Sequence, residues 1–235
     1  MSAEILRVHP DEPQPDRIDT IVSCLRKGGV VALPTDTFYG LAVDPVNLFA
    51  VEQIYQIKTR QKHKPLSLLI AGLSQAYELA RDTDPQLDKL ADRFWPGPLT
   101  IIVRAGTKLP LRSTANTGNV ALRVPDAAIA RAVVERFGLP ITATSANLQG
   151  ASECTSAGCV RDQIGDRIPL IIDGGPPGGD GVLVYGAWEV RDTISRSNCL
   201  PCLAIAAAAA GPPTMASPLN RSRLTMATSS PTAAP

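Results

Sequence analysis

Several short stretches of this 235-residue chain set charged and hydroxyl side chains directly beside apolar runs. Pro34-Thr35-Asp36-Thr37-Phe38-Tyr39-Gly40 follows Val30-Val31-Ala32-Leu33, so its polar groups emerge at a strand's carboxyl end, where open α/β sheets place ligands. The simpler alternative is a turn in which Asp36 and Thr37 bond only to neighbouring backbone. Further on, Lys58, Arg60, Lys62 and Lys64 gather cations between a helical pattern and a strand. Lysine neutralises a phosphate as a point charge and arginine forks two donors onto its oxygens, so this loop suits a polyphosphate or an RNA backbone. Alternatively, these cations offset a helix dipole, each contributing about 0.3 to 1 kcal/mol.

Thr142-Ala143-Thr144-Ser145-Ala146-Asn147 again ends an apolar strand, with small hydroxyl and amide side chains that let a ligand approach the backbone closely; an ordinary strand-ending turn would use similar residues. Arg123 sits in the apolar run Ala121 to Val124. A cation on a core strand requires an anionic partner, either a ligand carboxylate or Asp126. There is no GxxxxGK[ST] phosphate loop, no GxGxxG, no HExxH and no GxSxG. His9 and His63 are the only histidines, which disfavours hydrolase triads.

The elements that would hold these residues alternate between helical and strand periods from about 16 to 175, as in an α/β domain. Ile18, Ile21, Val22 and Leu25 share a helical face over 16–27, with Gly28-Gly29 as a left-handed stop. Asn47 caps a helix that turns Leu48, Val51, Ile54 and Tyr55 inward, and Leu66 to Ala71 reads as a strand. Asp84-Pro85 starts another helix, which Trp95-Pro96-Gly97-Pro98 breaks before the strand Leu99 to Arg104. Asp126 caps a helix to Phe137 that Gly138 and Pro140 end, and Ile141 to Thr144 and Leu170 to Ile172 are further strands.

A composition 44% apolar and 19% charged fits one globular domain and excludes collagen-like, wholly disordered and membrane proteins. No apolar run approaches the roughly 20 residues of a bilayer span, and Met1 to Arg17 carries acids and prolines where a signal peptide has an apolar core. A cytoplasmic location is expected. With a net charge of +1 there is no bulk attraction for nucleic acid, so any anion site must be local. An odd number of cysteines, 5, argues against a disulfide framework, and reduced thiols are expected; Cys199 and Cys202 form one CxxC without the ligands of a metal site. Residues 203–235, rich in Ala, Pro, Ser and Thr, are expected to be a disordered tail.

Taken together and in order, PTDTxYGL at 34–41, KxR at 58–60 with Lys64-Pro65, WPGPLT at 95–100, VALRVP at 120–125, TSANLxG at 144–150 and IIDGG at 171–175 resemble the YrdC-like threonylcarbamoyl-AMP synthase family. The resemblance covers about residues 5–179. It implies an α/β fold, a twisted open mixed sheet with flanking helices and a basic concave cleft, and an enzyme, a nucleotidyltransferase. Its reaction would join L-threonine, bicarbonate and ATP into threonylcarbamoyl-AMP with release of pyrophosphate. That product would feed N6-threonylcarbamoyladenosine formation at tRNA position 37 through a separate transferase.

By this resemblance Thr35, Arg123 and the Ala143 backbone bind L-threonine, with Arg123 facing the carboxylate. Lys58, Arg60 and Lys64 are the ATP-binding cations, Lys58 and Arg60 the catalytic ones, and Ser145 and Asn147 the pair at the nucleotide. Asn119, four residues before Arg123, stands where the family places a nucleotide-contacting threonine. Mg²⁺ would be held mainly by the triphosphate oxygens. The alternative is a non-catalytic binder of tRNA or double-stranded RNA through the same basic surface. A carbamoyl-transfer domain that has lost larger partner domains fits the KxR and SxN pair less well. After Gly179 the family's Ser-Thr-Val strand is not found, and residues 180–202 are expected to be a divergent, replaced or frame-shifted segment.

Overall fold

Strands of two to six residues, too short to be stable singly, pair here into two sheets. The computed structural model describes residues 2–58, 66–82, 85–178 and 183–186. The first sheet has the order β1 (Glu4–Arg7), β9 (Leu170–Asp173), β2 (Val31–Pro34), β3 (Tyr39–Ala42), β8 (Thr144–Ser145). Its first three strands are parallel, and β3 is antiparallel to both β2 and β8. The second sheet runs β10 (Leu183–Gly186), β5 (Leu99–Arg104), β6 (Asn119–Arg123), β4 (Ser67–Leu69), β7 (Ile141–Thr142). There β10 is parallel to β5 and β4 to β6, while β5 with β6 and β4 with β7 are antiparallel.

The first sheet is covered on both faces, which is why Val30 to Leu33 reads as a continuous apolar run. Helices α1 (Pro15–Arg26) and α5 (Ala128–Phe137) bury Ile21, Leu25, Val133 and Val134 with Val31, Leu33 and Ile172. On the opposite face α2 (Leu48–Ile57) and α6 (Ala157–Ile164) bury Val51, Ile54, Val160 and Ile164 with Ala32, Leu41 and Ile171. The second sheet is treated differently. Helices α3 (Leu73–Leu79) and α4 (Pro85–Phe94) pack Leu79, Leu87 and Leu90 on Leu99, Ile101, Val120 and Leu122. By strand alternation the other face carries Ser67, Thr100, Ile102, Ala121 and Arg123, several of them only half-buried. That small and polar face is the floor of the site.

The expected open mixed sheet is built as two mixed sheets, joined where the expected strand Ile141 to Thr144 divides at Ala143. Residues before Ala143 pair with β4 and residues after it with β3. Strand β10 pairs with β5 although its residues fall in the segment 180–202 that loses the family pattern. Helix α1 forms as its periodicity predicts, and Gly28 stops it at φ 81°. Asn47 caps α2 through Phe49 and Ala50 N–H, but Leu48 is 51% exposed rather than inward, because the helix's first residue overhangs the core. Asp126 does not cap α5. It pairs with Arg131 at 3.9 Å in solvent, and the α5 N-terminus takes its acceptor from elsewhere. The cap expected at Asp84 and the tail 203–235 lie outside the described residues.

Candidate active site

Arg123, at the end of β6, has 5% of its surface exposed, so its charge must be compensated. The partner is neither Asp126 nor a group at the surface. It is Asp36, from the turn between β2 and β3, whose carboxylate accepts from Arg123 Nη2 and also from the Ala127 N–H at the start of α5. Arg123 Nε donates to Gly97 O at 3.1 Å, and the Gly97 N–H donates to Val124 O at 2.9 Å. Gly97 follows the cis Trp95–Pro96 bond at φ 159°, and a Cβ there would lie 2.7 Å from Phe94 O. Three sequence motifs, PTDT, WPGP and ALRVP, therefore converge on one guanidinium.

The turn from β2 to β3 is closed by Thr35, not by Asp36 and Thr37. Thr35 Oγ1 donates to Phe38 O at 2.8 Å, while Asp36 and Thr37 reach toward Arg123, with Thr37 Oγ1 3.5 Å from Nη1. Thr35, Thr37, Ser67, Thr100, Arg123, Ala143 and Ser145 line one cavity of about 280 Å³. Its floor is the polar face of the second sheet and its roof the strand ends of the first. Ala143 N–H donates to Ser67 O at 2.8 Å and Ala143 O accepts from the Ser67 hydroxyl, so a ligand at Ala143 would meet the carbonyl's second lone pair.

Beside this cavity lies Lys58, just past α2 and 4% exposed. Its ammonium donates to Ser145 O, to Ser145 Oγ at 3.2 Å and to Asn147 Oδ1 at 2.9 Å. Asn147 Nδ2 in turn donates to Ala151 O at 2.6 Å, so this residue ties the lysine to the following loop. Arg60 and Lys64 lie outside the described residues. Asn119 begins β6 on the Arg123 face but is not among the cavity's lining residues.

The remaining wall is the loop from Leu148 to Ser156, which brings Glu153 to the cavity. Gln163 on α6 organises it, accepting from Leu148 N–H at 3.1 Å and donating to Ser152 O at 3.0 Å. Cys154 and Cys159 form a disulfide across this loop, which corrects the expectation of reduced thiols for that pair; the loop folds back on the first turn of α6 and brings the two Cα atoms to 5.5 Å. Cys24 is free, and burial pushes its thiol up. Tyr39 donates to Gly175 O at 2.8 Å, and burial, with the Asp173 carboxylate nearby, pushes its phenol up to about 12.

Sequence reasoning located Thr35, Arg123, Ala143 and Ser145 in one place but missed Ser67, Thr100, Glu153 and the Gly97 carbonyl. Ser67 and Thr100 carried a faint signal, as polar residues alternating with leucine and isoleucine on strands. Among the described residues no group of three or more His, Cys, Asp and Glu could hold a metal ion. No helix among them is long and apolar enough to cross a membrane.

A family model for Sua5, YciO and YrdC, described as telomere recombination, matches residues 23–183. The chain is 41% identical over 169 residues to the threonylcarbamoyl-AMP synthase of Bacillus subtilis (strain 168), an overlap of 72% of this chain and 48% of that protein. It is 35% identical over 159 residues to the threonylcarbamoyl-AMP synthase of Vibrio vulnificus (strain YJ016), covering 67% of this chain and 86% of that one. The chain spans about half the length of the Bacillus relative and 44% of the Pyrococcus abyssi one. In three dimensions it is similar to P. abyssi Sua5 complexed with L-threonine, at TM-score 0.77 and 34% identity over 80% of this chain and 56% of that one. Escherichia coli YciO is similar at TM-score 0.74 and 28% identity, covering 80% of this chain and 92% of that chain.

Proposed function

This chain belongs to the Sua5/YciO/YrdC family, and we propose that it is an L-threonylcarbamoyladenylate synthase, forming threonylcarbamoyl-AMP and pyrophosphate from L-threonine, bicarbonate and ATP. The observation that carries the reading is the convergence of Thr35, Arg123, Ala143 and Ser145 on one cavity, with the Lys58 ammonium bonded to Ser145 at its edge. A walled cavity of this scale suits small molecules rather than a duplex RNA backbone.

Arg123 would take the threonine carboxylate with the N–H groups that Asp36, Gly97 and Thr37 leave over. Thr35 has committed its hydroxyl proton to Phe38 O, so toward a ligand it acts as an acceptor, suited to the threonine ammonium or hydroxyl. The Ala143 carbonyl offers a second acceptor. Threonine's amine adds to bicarbonate with loss of water to give a carbamate. A carbamate oxygen then attacks the α-phosphorus of ATP, and pyrophosphate leaves with the electron pair of the broken bond.

Two anions must meet for this, so positioning and charge neutralisation carry the catalysis and no dedicated base is needed once the carbamate exists. Lys58 would turn its ammonium from Ser145 Oγ to a phosphate oxygen, while the Ser145 hydroxyl, which accepts from the lysine, keeps its own proton to donate to the nucleotide. Arg60, Lys64, Asn119 and Asn147 complete the proposed nucleotide site. Mg²⁺ would enter on the triphosphate and supply charge neutralisation; of the two carboxylates near the cavity, Asp36 is committed to Arg123 and Ala127, and Glu153 belongs to no metal-holding cluster among the described residues. The product would pass to a separate transferase acting on tRNA position 37, in the cytoplasm.

The test is pyrophosphate release with ATP, bicarbonate and L-threonine, against controls lacking each. Release that requires all three supports the reading. No threonine-dependent release, together with RNA affinity that falls steeply with salt, would replace it with a binding protein.

A further inference from the structure

We propose that Asp36 is a positioning residue for L-threonine, acting through Arg123. This deepens the reading of the cavity as a threonine site and rests on it. Asp36 is a carboxylate with 11% of its side chain exposed, placed between Thr35 and Thr37, both of which line the cavity. A buried carboxylate is costly unless its oxygens are engaged, and here each is engaged in a different direction. One accepts from Arg123 on the second sheet and the other from Ala127 N–H at the start of α5.

If charge balance were the only requirement, a closer residue in sequence would serve. Asp126 lies three positions beyond Arg123 yet stays in solvent against Arg131. The partner comes instead from the turn that carries Thr35, 87 residues away in the chain. The threonine-contacting hydroxyl and the threonine-contacting guanidinium stand on different sheets, and one side chain sets their relative position.

The geometry also fixes which part of Arg123 is left for substrate. Gly97 O at 3.1 Å and Asp36 take the Nε–Nη2 side of the guanidinium plane. The Nη1–Nη2 end remains, with Thr37 Oγ1 at 3.5 Å from Nη1, and that end matches the two oxygens of a carboxylate. The clamp holds the plane still before substrate arrives, so less freedom is lost on binding.

Asp36→Asn tests this, because the amide oxygen still accepts from Ala127 while the charge that holds Arg123 is removed. In steady-state pyrophosphate release the KM for L-threonine should rise about tenfold, the KM for ATP should change by less than about twofold, and the threonine effect should largely vanish in an Arg123→Lys background. If Asp36→Asn does not fold, Asp36→Glu keeps the charge one methylene further out and should raise the threonine KM several-fold while leaving that for ATP in place. An active wild-type chain whose folded Asp36 variant keeps its threonine KM, or raises both KM values equally, overturns the positioning role alone. A wild-type chain with no threonine-dependent release overturns the reading of the cavity and the positioning role with it.

Discussion

The Lys58 ammonium donates to the side-chain oxygen of Asn147 at 2.9 Å, joining the end of α2 to the loop after β8 across 89 residues of chain. Arg123 stands apart from this pair, held by Asp36 and Gly97. Separate anchoring predicts separable defects. Lys58→Ala should raise the KM for ATP by about tenfold or more and that for L-threonine far less, and Arg123→Ala should do the reverse. Steady-state kinetics with each substrate varied in turn checks this; equal effects of either variant on both substrates would refute the division of roles.

Tyr39 links the turn of the site to the IIDGG segment through its bond to Gly175 O. Tyr39→Phe removes that donor and should lower stability by about 1 kcal/mol, seen as a lower urea midpoint at unchanged slope. The phenol's proton is held to about 12 in the folded protein against about 10 when unfolded. Above pH 10 the unfolded chain loses this proton first, so the stabilisation is complete below pH 10 and is lost as pH rises toward 12. Denaturation followed from pH 9 to 12 should show a shallower decline in Tyr39→Phe than in wild type.

Gly174 is tightly packed. A Cβ there would lie 2.3 Å from Ile129 Cδ1 and 3.0 Å from Pro34 Cγ. Gly174→Ala should destabilise by about 1 to 3 kcal/mol through overpacking. Adding Ile129→Val removes the clashing methyl and should recover part of the loss, so thermal melts of the single and double variants check the contact directly. A double variant no more stable than Gly174→Ala would show that the strain arises elsewhere.

Non-reducing peptide mapping should recover Cys154 and Cys159 in one linked peptide, while Cys24 is alkylated as a single thiol. Alkylation of Cys24 should be slow below its ordinary titration range, because burial disfavours the thiolate. Rapid modification of all three would contradict the pairing.

Much of this architecture was legible in local pattern. Val30 to Leu33, Leu99 to Arg104 and the helical face of Ile18, Ile21, Val22 and Leu25 are long or apolar enough for periodicity to speak, and each forms as read. Strand β1 was missed because its two apolar residues, Ile5 and Leu6, stand side by side between Glu4 and Arg7, too few to show either alternation or a buried run; it exists because β9 supplies a partner. Helix α6 was missed despite a usable cue, Ser156 accepting from Cys159 N–H ahead of Ala157, Val160 and Ile164. The partner of Arg123 was misplaced for a different reason. Nearness in sequence pointed to Asp126, whereas the pairing of β2 with β3 delivers Asp36 from the other sheet. Long-range pairing of this kind leaves no mark on a local window.

At Ala143 the chain steps from one sheet to the other, and an occupant of the cavity would rest on that step. Such a molecule would act as a rivet through both sheets, touching the crossing at Ala143 together with Arg123 from one sheet and Thr35 from the other. Its affinity would then be felt by the whole fold at once. Saturating substrate should lift the melting temperature of both halves as a single transition, growing with the logarithm of its concentration.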